Sequence, residues 1–246
     1  MPLVRKRGRI MGYEPMNESW QMAGERHETL GQYVAKTYLW MFAGLLVTFG
    51  IALAGYVTGA ILYVFQVPYA TLALTGLELL TVIWLSARIH KLSVGAARGL
   101  FLFYAALNGV VFSMYFLIFG VVEMVFVFAA TALFFGMMAG VSLIFKLDLS
   151  GIRPLLVGGL LFLILFGLLS MFLNLGSFET VLCYAGIVVF LGFTAYDTTK
   201  IRDNYQIFSA DPELLQKASV FSALQLYLDF INLFLYIIRL MNRNRK

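Results

Sequence analysis

The chain has 246 residues, 61% of them hydrophobic and only 13% charged, with a mean hydropathy of +0.86. A soluble domain carries about a quarter charged residues, so these values exclude one and indicate a polytopic membrane protein. The net charge of +5 is no nucleic-acid signal, because Lys and Arg collect in cytoplasmic loops for topological reasons. The single cysteine, Cys183, excludes an intrachain disulfide and a thiolate metal cage, and His27 and His90 stand alone.

Residues 1–36 form a polar tail with a basic patch, Arg5-Lys6-Arg7-Gly8-Arg9, and then mixed charge. The first apolar run starts near Thr37, too far from Met1 for a signal peptide, so the tail is expected to be uncleaved, cytoplasmic and partly disordered. The patch serves orientation and can touch anionic head groups. Seven membrane-length segments follow, at roughly 37–59, 67–87, 98–119, 121–144, 154–175, 179–199 and 218–240. Each is long enough for a hydrocarbon core of about 30 Å. The third and fourth are separated by little more than Gly120, which requires a tight helical hairpin from Phe119 to Val122. Gly44, Gly50, Gly136, Gly140 and Gly192 would allow close helix approach, and Gly136 and Gly140 have the GxxxG spacing. Cys183 lies in an apolar run and is expected to be buried and inert.

Basic residues orient the segments. With a cytoplasmic N-terminus, Arg88, Lys91, Arg98, Lys146, Arg153, Lys200, Arg202 and Lys217 all fall inside, with the tail, and the external loops hold none. Arg239, Arg243, Arg245 and Lys246 conflict with this if the last segment spans. A full span is the expected solution, and a re-entrant last segment is the alternative. The domains expected are the tail 1–36, a transmembrane domain 37–241 and a basic tail 242–246.

The last segment carries an acid in its middle: Leu226-Tyr227-Leu228-Asp229-Phe230-Ile231-Asn232-Leu233-Phe234. Inserting such a charge costs roughly 2.5–3.5 kcal/mol, and acids of this kind face a protein interior or an aqueous path. Gln225, Asp229, Asn232 and Tyr236 follow one another at spacings of four, three and four, one polar helical stripe. A shielded, central seventh helix is the expected consequence. Asp197, in Phe193-Thr194-Ala195-Tyr196-Asp197-Thr198, is placed in the last turn of the sixth segment. A loop of about 18 residues, Lys200 to Lys217, lets it approach Asp229. Two adjacent buried carboxyls share one proton and titrate as a pair. Such a pair senses pH and, when ionised, offers hard oxygen ligands to a cation such as Ca²⁺. The bland readings are a solvated Asp197 at the membrane edge and an Asp229 that only hydrogen-bonds its neighbours. In the second segment, Thr71, Thr75 and Glu78 share a face and Arg88 ends the helix. Arg88 could reach Asp197 or simply snorkel to the interface.

At these residues the chain resembles the Bax inhibitor-1, or transmembrane BAX inhibitor motif, family in its bacterial seven-helix form. The resemblance covers about 30 to 241 and rests on the nine residues around Asp229, on Tyr196-Asp197, and on the placement of Glu78 and Arg88. It implies an all-α polytopic membrane protein, seven transmembrane helices with a central seventh wrapped by the other six, in the bacterial plasma (inner) membrane. It also implies a pH-sensitive calcium leak controlled by an aspartate pair, here Asp197 and Asp229, with Arg88 as the latch of the closed state. Glu78, Gln225, Asn232 and Tyr236 stand as supporting residues. Ca²⁺ is then the permeant ion, bound transiently by the two aspartates, with no tightly bound cofactor and no catalytic residues. The expected partners are the lipid bilayer, calcium ions, protons and membrane proteins, and no nucleic acid. The alternative is a non-conducting interaction protein that regulates a membrane protease or a stress or cell-death response. An intramembrane aspartyl protease is the enzymatic rival. This chain has Leu226-Tyr227-Leu228-Asp229 where presenilin-type proteases carry Gly-x-Gly-Asp, and no later segments, so it is not expected to be an enzyme.

Overall fold

Local capping starts the first helix well before the apolar run. The Thr29 hydroxyl accepts from the Gln32 amide at 3.3 Å, and Gln32 Oε1 accepts from the Thr29 amide at 2.9 Å. This reciprocal capping box fixes helix α1 at Leu30–Val57, seven residues ahead of Thr37. The computed structural model describes residues 28–88, 91–145, 148–170 and 178–243, and the basic patch and both histidines lie outside these.

After α1 come α2 (Ala60–Gln66), α3 (Ala70–Arg88), α4 (Val94–Phe119), α5 (Val121–Phe145), α6 (Arg153–Ser170), α7 (Phe178–Phe208) and α8 (Pro212–Arg243). No strand occurs among the described residues. Six of these helices, namely α1 and α4 to α8, are long and apolar enough to cross a membrane. The second predicted segment is α3, 19 residues with Glu78 near its centre. The short α2, between the first two predicted segments, was not foreseen. Large apolar side chains such as Leu46, Ile83, Phe126, Leu133, Ile144, Leu155 and Val188 point outward. That is the arrangement a lipid solvent permits, since lipid tails are as apolar as the core.

Helix α8 packs on α7, α1, α5 and α4, while α6 lies chiefly on α7 and α3 chiefly on α4. In α8, 61% of the most apolar window is buried, against 44% in α4, the next most buried. Aromatic contacts hold part of this core: Phe234 meets Phe49 and Phe112 at centroid distances of 5.5 Å, and Phe230 meets Phe128 and Phe135 at 5.4 and 5.6 Å. Cys183 is buried.

Gly120 makes the expected hairpin between α4 and α5, with φ +81°, a conformation open to glycine and strained for other residues. Of the five glycines expected at close contacts, Gly44 and Gly192 are at them. A methyl group on Gly44 would meet the Phe101 ring at 2.5 Å, and one on Gly192 would meet Leu156 at 2.6 Å. Gly50, Gly136 and Gly140 face open space, so the GxxxG pair joins no helices within this chain.

The end of the chain differs most from expectation. No 18-residue loop separates the last two segments. Helix α7 continues to Phe208, α8 begins at Pro212, and three residues turn between them. Asp211 makes this possible: its Oδ1 accepts from the Glu213 and Leu214 amides at 2.9 and 3.0 Å. Asp197 therefore sits inside α7, eleven residues before its end, and not in its last turn. Asp211→Ala removes the cap and is expected to lower stability by about 1 kcal/mol, read as a lower melting temperature in detergent. Helix α8 is also uninterrupted through Arg243, so it has no break at which a re-entrant segment could turn back.

Candidate functional site

The α7–α8 hairpin brings two acids together. Antiparallel pairing across the three-residue turn sets Asp197 beside Asp229, with their carboxyl groups near enough to interact directly. They are 6% and 5% exposed, the only buried acids among the described residues. A carboxylate can only accept, so the two groups can hydrogen-bond each other only when one carries a proton. Sharing a proton would make the pair a singly charged unit, which a low-dielectric site tolerates far better than two charges. Asp229 Oδ2 is buried and has no hydrogen-bond partner.

The surroundings come from three further contacts. Tyr38 of α1 reaches across to Thr198, hydroxyl to hydroxyl at 2.9 Å, close enough to feel the charge of Asp229. Positive charge reaches Asp197 from Lys200, one turn further along α7, and from Arg153 at the start of α6. Lys200 is itself paired with Asp203 at 3.0 Å. Tyr38, Thr198, Lys200 and Arg153 were not singled out from the sequence. Thr198 and Lys200 had a readable signal, being one and three residues from Asp197. Tyr38 and Arg153 had none, because only the packing of α1 and α6 brings them near.

The other predicted residues fall elsewhere. Arg88 ends α3, is exposed, and makes no ion pair among the described residues. The cations that act on Asp197 here are Lys200 and Arg153. Glu78 faces α4, where its charge is felt by Tyr104 and Tyr115, and its Oε1 is buried without a partner. Asn232 turns back to donate to the Leu228 carbonyl at 2.8 Å, within its own helix. Tyr236 lies on α7, stacked against Phe190 at 5.9 Å and over the space that Gly186 leaves open. Gln225 is half-buried on the same stripe. Of that stripe, then, only Asp229 enters the pair; Tyr236 packs against α7 and Asn232 bonds within α8. A small polar cavity of about 210 Å³ opens beside the C-terminal part of α7, lined by Asp148, Ser150, Thr199, Lys200, Arg202 and Asp203. Bonds from the Ser150 hydroxyl and amide hold Asp148 below the usual carboxylate range. No group of three or more His, Cys, Asp or Glu side chains that could hold a metal occurs among the described residues, so the two aspartates could hold a cation only with other oxygen ligands.

Comparison with known proteins gives the lineage. The family described as inhibitor of apoptosis-promoting Bax1 matches residues 30–246, nearly nine-tenths of the chain. The chain belongs to the Bax inhibitor-1 family. The inner membrane protein YbhL of Escherichia coli is 37% identical over 218 residues, covering 88% of this chain and 93% of the relative. Uncharacterized proteins of Deinococcus radiodurans and Borreliella burgdorferi are 34% and 32% identical, each covering 90% of this chain and 96% and 97% of their own. As a Bax inhibitor-1 family protein with six described helices of spanning length, the chain is a multi-pass membrane protein. The family match includes both members of the aspartate pair and stops short of most of the basic N-terminal tail.

Proposed function

We propose that this protein is a pH-sensitive calcium leak channel of the bacterial plasma membrane, controlled by the Asp197–Asp229 pair. In this reading α3 is a seventh spanning helix, the other six surround α8, and the N-terminus is cytoplasmic. At 19 residues α3 would extend about 28 Å, enough for a thin hydrocarbon core. The name of the Escherichia coli relative supports an inner-membrane location, and the absence of basic residues from the external loops supports the orientation.

The observation that carries the proposal is the contact between two buried carboxyls at the α7–α8 interface. A shared proton ties the helices together. Its loss leaves two like charges in contact, which repel each other and present oxygen ligands to a passing dication. Lys200 and Arg153 offset part of that charge. Arg88, exposed at the end of α3, would reach Asp197 only after a movement of α3, which makes it a latch for a second conformation.

Calcium flux into liposomes holding the full chain, followed across pH, tests this. The wild type is expected to change its flux with pH, and Asp197→Asn or Asp229→Asn, each fixed in a neutral state, to lose that response. Identical, pH-independent traces for all three would remove the leak and leave a non-conducting regulator of membrane proteins as the function.

A further inference from the structure

We infer that the aspartate pair is reached from one side of the membrane only, the side on which α1 begins, along a polar seam between α1, α7 and α8 that takes up water and carries hydrated cations. This rests on the proposed leak and adds to it the route and the residues that line it.

Side-chain hydrogen bonds join these helices in pairs along the seam. Tyr38 bonds Thr198 between α1 and α7, and Thr37 bonds Ser219 between α1 and α8, both at 2.9 Å. Asn204 donates to Ser222 between α7 and α8 at 3.0 Å. Hydroxyls and amides on three helices converging on one seam are costly to place in an apolar core for packing alone, since apolar side chains would fill the same volume. At the inner end stands Asp229 Oδ2, fully buried and unpartnered. Towards the outer end, the Tyr33 hydroxyl is buried close to Ser222. Buried polar atoms without a protein partner are solvated in native structures. The seam then meets solvent at Glu28, whose backbone carbonyl accepts from Tyr205 at 2.7 Å and whose carboxylate pairs with Lys36 at 3.1 Å.

Past Asp229 the face of α8 turned to α1, α4 and α5 is aromatic. Phe230, Leu233 and Phe234 are buried against Phe128, Phe135, Phe49 and Phe112. Of the polar side chains beside that layer, Thr131 bonds the Val127 carbonyl of its own helix at 2.7 Å, and Thr48 and Tyr227 bond each other at 2.7 Å. Tyr227 stands two residues from Asp229, about 200° around the helix and so on its opposite face. An aromatic seal on one side and a hydroxyl seam on the other make the pair accessible from a single direction.

Cysteine substitutions test the route without relying on calcium flux. In a Cys183→Ser background, Ser219→Cys and Ser222→Cys probe the seam, and Phe112→Cys and Phe234→Cys probe the seal. All four parent residues are almost fully buried, so burial alone predicts equal protection. Vesicles holding the full chain are exposed to Ag⁺ from one side or the other, quenched and denatured, and the surviving thiols are counted. The seam cysteines are expected to react about tenfold faster than the seal cysteines, the rate equivalent of ~1.4 kcal/mol, and only from the side on which α1 begins. Equal rates at the two sets, or equal rates from both sides, overturn the inference. Should the liposomes show no calcium flux while the seam cysteines still react in this pattern, the leak reading fails and the water path stands. A calcium flux with unreactive seam cysteines places the route elsewhere.

Discussion

Calcium binding to the full-length protein is expected to tighten by about tenfold for each unit of rising pH, over the range in which the aspartate pair gives up its shared proton. The sign follows from competition. A hard dication and a proton seek the same carboxyl oxygens, and the proton must leave before the oxygens can act as ligands. Affinity is therefore greatest above this range and falls as pH drops through it, with one proton released per ion bound. Stepwise titration of the detergent-solubilised protein with calcium at several pH values, with proton release followed in weakly buffered solution, measures both sides of the exchange. Asp197→Asn and Asp229→Asn should each flatten the dependence, because each leaves one carboxylate with no shared proton to displace. An affinity that ignores pH, or that survives in both variants, would remove the pair as the cation's ligands.

The second large effect concerns packing between α1 and α4, the two helices in most extensive contact. Gly109→Ala would set a methyl group 2.8 Å from the Thr48 carbonyl oxygen and 2.8 Å from Ile51 Cβ. Neither is the end of a flexible side chain, so the helices must part. The bond from the Thr48 hydroxyl to the Ala105 carbonyl, 2.8 Å across the same contact, would be lost. Overpacking of this kind costs about 1–3 kcal/mol. Gly136→Ala is the control, since a methyl group there meets nothing within 4 Å. The gain there should be about 0.5–1 kcal/mol from helix propensity. Opposite shifts in thermal stability are the expected result, and equal shifts would mean that α1 and α4 are looser than they stand here.

These contrasts show what can be read from residues in a row. The apolar runs gave the helices, because a membrane demands about 20 apolar residues and a continuous backbone ladder. Gly120 gave the α4–α5 hairpin for the same reason, as no other residue was available to turn the chain. The ends of α7 and α8 were misplaced because hydropathy marks where lipid stops and not where a helix stops. Lys200 to Lys217 is polar enough to resemble a loop, yet it holds helix through Phe208 and a new N-cap at Asp211. Asp229 was legible through its cost. Asp197 was legible only as a second acid, and its place in the helix was not. The hydroxyl seam escaped notice because serine and threonine are common in spanning helices, where they usually bond their own backbone, as Thr131 and Thr194 do. Which of them cross to a neighbour is decided by packing.

The three-residue turn between α7 and α8 also bears on how the protein is made. Separately inserted segments would each bring an acid into lipid, at roughly 2.5–3.5 kcal/mol apiece. Joined so closely, the two helices can leave the insertion machinery as one hairpin, with Asp197 and Asp229 already sharing a proton, so the bilayer meets at most one charge instead of two. The short connection thus makes the order of synthesis help solve the electrostatic problem that the finished site retains.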